Sequence, residues 1–306
     1  MLFSNPLAVS TSAELHELHQ VADQGMKHVE VQLPSSRYTQ DELQDLFQAT
    51  HTSPIAFRAP KTMGLGSSDF ILEEWEYWLK TVAPLFSEDS LRYVVCHGTA
   101  VTLGEVFEYL DARPQDFNGL HDYKTRYVEK IIEQLEQLHS TALKYNIQLC
   151  IENAPMGGDH YFEPGKGLIY PALRTPRHLQ RIAEATEVQI CLDTANARIT
   201  SNVLSYMHRS RSLFAGATEK EILNTTRDWI EFYQQVQKNT VLVRLSYAVS
   251  WGDTPQTTHT PFPEEAYPEL LEFAEQVDDE IPILLATGKE QDLQDALKPL
   301  RQLKKR

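Results

Sequence analysis

Two periodicities alternate along the chain. Short apolar runs with strand character occur near residues 2–5, 27–33, 54–58, 92–97, 147–152, 188–193, 240–246 and 281–286. Between them lie stretches with apolar residues three and four apart, the spacing of an amphipathic helix. ELHELHQVADQG (14–25) ends on a glycine suited to a helix C-terminus, and DELQDLFQAT (41–50) and DFILEEWEYWLKTVAPLF (69–86) follow. TRYVEKIIEQLEQLHSTALKYN (125–146) is the longest, and in RTPRHLQRIAEAT (174–186) Thr175 and Pro176 read as an N-cap and first helical residue. ATEKEILNTTRDWIEFYQQVQ, PEEAYPELLEFAEQV and GKEQDLQDALKPLRQL complete the set. Eight strands alternating with about eight helices predict an α/β fold, a (β/α)8 barrel. A doubly wound sheet is the alternative, but SNPLAVSTSAE after the first strand lacks the glycine-rich phosphate turn of that fold. With no linker or repeat in the sequence, one domain over residues 1–306 is expected.

Two of the runs share a shape. IQLCIEN (147–153) and VQICLDT (188–194) are apolar strands that end on a carboxylate, Glu152 and Asp193. Barrel chemistry sits at the C-terminal ends of the strands. Read there, strand three ends on Arg58, strand four on His97, strand seven on Arg244 and strand eight on Ala286, while strand two carries Glu30 and Gln32 on one face. Aspartate also favours turns, so Asp193 has an ordinary reading as a cap, and a lone histidine at a strand end often only meets a backbone carbonyl. Polar residues at one height on several strands favour a site, because a buried charge must be paired or bound to a metal. Two long loops, 153–174 after strand five and 246–265 after strand seven, are expected to cover the barrel mouth; the second carries Trp251, Asp253 and His259.

Composition narrows the function classes. The net charge is −15, against the basic footprint that nucleic acid requires, so nucleic acid is not the expected partner. The one dense basic stretch, the tail KPLRQLKKR, reads as solvated dipole partners of a helix C-terminus. No run reaches the roughly 18 apolar residues of a membrane span, and the N-terminus lacks the basic and apolar regions of a signal peptide, so a cytoplasmic location is expected. Cys96, Cys150 and Cys191 all lie in strand-like runs and read as reduced core thiols.

CIENAPMGG, CLDTANA and VVCHGTA resemble the strand-five, strand-six and strand-four segments of the xylose-isomerase-like TIM barrels, a superfamily of sugar isomerases, epimerases and apurinic endonucleases. The resemblance implies a divalent metal, zinc, manganese or magnesium, with His97, Glu152 and Asp193 at ligand positions. It places His259 and Asp253 near a histidine and an aspartate of the endonucleases. The departures are Arg58 and Arg244 where histidines are expected, Asn196 for the histidine after the strand-six aspartate, and Ala286 for the strand-eight glutamate; Glu290, four residues on, falls in the next helix.

Arginine has no lone pair to offer a metal and stays protonated. At about 5 Å and an effective dielectric near 20, one guanidinium opposes a divalent ion by roughly 6–7 kcal/mol. The metal is therefore expected to be weakly held or absent, replaced by ion pairs between Glu152, Asp193, Arg58 and Arg244. The leading expectation is an isomerase or epimerase-like protein acting on a sugar, sugar phosphate or sugar acid, with Glu152 as base and Arg58, Lys61, Asn196, Arg244, Trp251 and His259 around the substrate. A metal-free, non-catalytic small-molecule-binding barrel is the alternative, and an apurinic-site endonuclease a weaker third. The expected ligand is carbohydrate-like and anionic, and a homo-oligomer is compatible with the sequence.

Overall fold

The computed structural model describes residues 1–34, 38–87, 92–116, 118–158, 161, 167–286 and 290–304, the side chains of residues 290–292 excepted. Eight parallel strands close a barrel: β1 (Leu7–Ser12), β2 (His28–Gln32), β3 (Ser53–Arg58), β4 (Tyr93–Cys96), β5 (Gln148–Glu152), β6 (Gln189–Asp193), β7 (Thr240–Leu245) and β8 (Ile283–Leu285). Each strand pairs with its neighbours in sequence, and β8 pairs with β1 through Leu284 and Ala8. Helices α1 (Leu15–Asp23), α2 (Gln40–Thr50), α3 (Leu72–Val82), α4 (Leu103–Asp111), α5 (Gly119–Leu143), α6 (Pro176–Thr186), α7 (Thr194–Ser210), α8 (Glu219–Leu223), α9 (Trp229–Val236), α10 (Tyr267–Gln276) and α11 (Glu290–Gln302) lie between and around the strands.

The strands present two different faces, as their period of two requires. Outward residues such as Val29, Phe57, Leu149, Ile190 and Val243 pack in the main core with Leu135 of α5 and Leu179 of α6. Inward residues Ala8, Ala56, Val95, Cys150, Cys191, Leu242 and Leu284 form a separate apolar plug inside the barrel. Two residues further along five of these strands the inward positions turn polar: Ser10, Arg58, Glu152, Asp193 and Arg244. The register fixes this layer, with Ser10 opposite Glu30 and Asp193 opposite Arg244. The period of two therefore turns the arginines inward with the carboxylates.

The sequence pattern misplaces the first strand. Residues 2–5 are not a strand; Leu2 donates its N–H to the Leu300 carbonyl at 2.6 Å, and Phe3 packs edge-on to Phe273 at 6.2 Å. They seal the outer layer, and the less apolar LAVSTS that follows forms β1. Two helices, α4 and α7, fall outside the stretches read as helical. In α7 the buried face mixes Asn196, Thr200 and Ser201 with Ile199, Val203 and Met207.

Candidate functional site

The polar layer is built around Glu152, which is 3% exposed. Arg58 Nη2 from β3 donates to its Oε2, and Arg244 Nη1 from β7 donates to its Oε1 at 2.6 Å. Arg244 reaches further: Nη1 lies 3.9 Å from Asp193 Oδ2, Nε lies 3.4 Å from Glu30 Oε2, and Nη2 donates to the Ser10 hydroxyl at 3.2 Å. That hydroxyl donates on to Glu30 Oε2 at 2.5 Å, which completes a ring of contacts across the barrel. Glu30 is fully buried, and its Oε1 has no hydrogen-bond partner.

Asp193 closes the other side. Its Oδ1 accepts the Asn196 N–H at 2.8 Å, so the carboxylate caps α7. Its Oδ2 faces His259 Nε2 at 2.9 Å. An ionised carboxylate can only accept, so Nε2 carries a proton and donates to it, while Nδ1 lies 2.9 Å from the Thr258 hydroxyl. His259 adopts a left-handed backbone, φ 50°, in a loop tied down by paired N–H···O bonds between Tyr247 and Thr260. A non-glycine residue held there stores strain, and the surrounding loop over-determines the position. Asn153 braces the strand ends from behind: its amide donates to the Asp193 carbonyl at 2.9 Å, and its Oδ1 accepts the Asp193 N–H at 2.6 Å. The Asn196 amide donates to the Asn153 carbonyl at 2.9 Å.

Three carboxyls thus face two guanidiniums. Burial pushes Glu30 up, against Arg58 and the Ser10 hydrogen bond. Burial also pushes Glu152 up, to about 8, with Arg58 opposing and Asp193 and Glu30 adding to it. Arg244, in direct contact with Glu152, opposes it as well. Asp193 moves the other way: burial raises it, but His259 and the Asn196 N–H outweigh burial and hold it ionised. Burial thus works against ionising Glu30 and Glu152 while the two guanidiniums work for it, and the cluster approaches charge balance, as a buried set must.

The residues do not fit a metal. Both oxygens of Glu152 are taken by guanidiniums, both oxygens of Asp193 by Asn196 and His259, and Arg244 fills the space between the two carboxylates. Among the described residues, no group of three His, Cys, Asp or Glu side chains is arranged to hold a metal ion. His97 stands apart. Its ring nitrogens lack a well-formed partner, and burial, with Arg58 and Lys61 nearby, lowers its pKa to about 4 and keeps it neutral.

Above the cluster lie two cavities of about 560 and 430 Å³, which share Gln32, Lys61, Arg244 and His259. The larger one opens beside Ser10, Thr11, Ser12 and Ala286, so the missing strand-eight carboxylate leaves space there. The other is lined by Arg58, His97, Asn196 and Tyr170. Glu152 and Asp193 line neither; the cluster floors the mouth and presents its guanidiniums to it. Of the residues expected from sequence, Arg58, Lys61, His97, Asn196, Arg244 and His259 come together here. Trp251 does not. It packs on Tyr206 and Phe214, with centroids 5.0 and 5.5 Å away, on the outer side of α7. Asp253 is exposed and accepts from the Thr257 hydroxyl at 3.4 Å. The Glu290 side chain and residues 159, 160 and 162–166 of the strand-five loop lie outside the described residues. Ser10 and Asn153 are cluster members that the strand-end reading does not select, and Glu30 joins them from inside β2.

No sequence-family model matches the chain, and neither does any curated protein sequence. Solved structures do. The chain is similar to a D-tagatose 3-epimerase-like protein, with a TM-score of 0.60 and 14% identity over 97% of this chain and 94% of that one. It is similar to AP endonuclease, family 2 from Brucella melitensis, at TM-score 0.58 and 14% identity over 94% and 96%. It is equally similar to the IOLI protein with a binding zinc atom, at TM-score 0.58 and 14% identity over 96% of each chain. At these identities the likeness establishes the fold alone: the chain is a (β/α)8 barrel.

Proposed function

We propose that this protein binds a small carbohydrate-like, anionic ligand at the barrel mouth without using a metal. The observation that carries this reading is Arg244, whose guanidinium lies between Glu152, Asp193 and Glu30 and contacts Ser10. A fixed cation there supplies internally the positive charge that a divalent ion would bring. The mouth above it presents Arg58, Arg244 and Lys61, which suit the carboxylate of a sugar acid or the phosphate of a sugar phosphate. The D-tagatose 3-epimerase-like neighbour supports the carbohydrate class. Mass spectrometric metal analysis of untagged protein, with thermal-shift screens of sugars, sugar acids and sugar phosphates in the presence and absence of chelator, tests it. The expected result is far less than one equivalent of metal and a ligand-induced shift that the chelator leaves unchanged. One equivalent of zinc or manganese that is lost in Glu152→Ala would overturn it.

A second reading keeps the proton-transfer chemistry of an isomerase or epimerase but moves the base. Glu152 has both oxygens engaged and faces neither cavity. His259 lines both cavities and is oriented by Asp193 through its other nitrogen, the arrangement of an imidazole base. Rotation of the Thr258 hydroxyl would free Nδ1 to take a proton next to a substrate carbonyl. Exchange of substrate protons with solvent deuterium, lost in His259→Gln and retained in Glu152→Gln, is the expected signature. Loss in Glu152→Gln alone would return the base to Glu152.

A further inference from the structure

Away from the mouth, residues of α5, α6 and α8 line a cavity of about 400 Å³ on the flank of the barrel. Its floor is charged and buried. Lys124, 4% exposed, pairs with Glu221 and donates to the Gly216 carbonyl at 3.4 Å. Behind it Arg174, 1% exposed, donates to Glu221 at 3.2 Å and to the carbonyls of Ala215 and Gly216 at 2.6 and 3.1 Å. Glu221 also accepts from the Thr218 N–H at 2.9 Å. Two buried cations therefore share one carboxylate, and a positive charge is left over.

The rim adds to the excess. Arg177, Arg181, Lys220 and His121 line the cavity, and Glu221 is the single acidic residue among the lining. Arg181 reaches the exposed Glu129 at 3.3 Å, a contact of little consequence in water. The first turn of α6 also lines the cavity, and Thr175 makes no side-chain cap there, so the positive end of that helix adds to the field. His178, on the same turn, has Nδ1 buried without a partner. In a chain of net charge −15, such a concentration of basic groups around one cavity is not the general character of the surface.

We propose that this flank cavity is a second binding site, for a multiply charged oxyanion of the phosphomonoester or polycarboxylate class. Lys124 and His178 sit at its floor and Arg177, Arg181 and Lys220 at its rim. The anion would balance the surplus charge of Lys124 and Arg174 and give the orphaned His178 nitrogen an acceptor. Burial, with Arg174 next, lowers the Lys124 pKa to about 7 against the pull of Glu221, and a bound anion would raise it again.

Isothermal titration of the full chain with inorganic phosphate and with citrate, at low ionic strength and neutral pH, tests the site. Arg177 and Lys220 are exposed, so Arg177→Gln/Lys220→Gln removes rim charge without disturbing the core. Lys61→Gln reports on the mouth instead. The expected result is saturable binding that weakens about tenfold or more in the flank variant and less than about twofold in Lys61→Gln. Preference for phosphate assigns the phosphomonoester class, and preference for citrate the polycarboxylate class. Absence of saturable binding by either anion would overturn the proposal, as would loss in Lys61→Gln alone or equal loss in both variants. Loss in Lys61→Gln alone would leave binding at the mouth, so this site and the one proposed above fail separately.

Discussion

Arg244 touches Glu152, Glu30 and Ser10 and approaches Asp193, so removing it strands buried carboxylates. Arg244→Leu should lower unfolding stability by roughly 3–5 kcal/mol, the cost of breaking a buried pair from one side. Arg227, exposed and paired with Glu231 four residues on, is the control, and Arg227→Leu should leave stability nearly unchanged. Urea titration of both variants checks this; an equal, small effect would mean that the cluster is solvated. Much of it was readable from strand ends, because a period-two strand with an apolar interior shows its site as one polar letter at a fixed height. Arg58, Glu152, Asp193 and Arg244 were found that way. Ser10 was not, because a run of serine and threonine gives no strand signal of its own. Asn153 was missed because its role is to hold two neighbouring strand ends together, and that depends on strand neighbours that spacing alone does not specify.

The helices show what local sequence does and does not settle. α2 opens with a capping box, Thr39 and Glu42, that satisfies two end N–H groups reciprocally. α6 ends on Glu187 in the left-handed conformation, φ 60°, a position that favours glycine. Because Glu187 is exposed and relieving its backbone outweighs glycine's extra freedom in the unfolded chain, Glu187→Gly should raise stability by about 0.5–1 kcal/mol. Glu187→Val should lower it, and thermal melts of the two variants should move in opposite directions. The longest helix, α5, was evident from its repeating apolar stripe, whereas α7 was not. α7 turns polar groups inward because its first turn borders the cluster: Asp193 caps it, and Asn196 ties it to Asn153.

For the molecule as a whole, the alternation of strands and helices was enough to specify the closed barrel, because parallel neighbours joined by helices leave few other arrangements. What the alternation could not show is that the barrel carries two separate buried charge centres, one inside its mouth and one on its flank, and acid should reveal both. His97, at the mouth, has its pKa lowered to about 4 by burial and the nearby Arg58 and Lys61. His178, on the flank, is lowered to about 3 by burial and by Lys124, against Glu221. In the unfolded chain both titrate near 6.5. As pH falls below about 6.5 the unfolded chain takes up protons that the native protein refuses, so stability falls, and the loss ends below the native values. Glu221 is depressed by its two cations despite burial, so its stabilisation is full above the ordinary glutamate pKa and declines only below it. Glu30 and Glu152, both raised by burial, oppose the trend by binding protons natively before the unfolded chain does. The histidines drive the loss between about pH 6.5 and 4.5, on the order of 2 kcal/mol each by the lower pKa value, and the two carboxyls offset part of it. Relative to the wild type, urea midpoints should shift toward higher stability at the acid end of that range in His178→Gln, and further still in the His97→Gln/His178→Gln double variant. An unchanged slope in the double variant would place the acid sensitivity in the carboxylates instead.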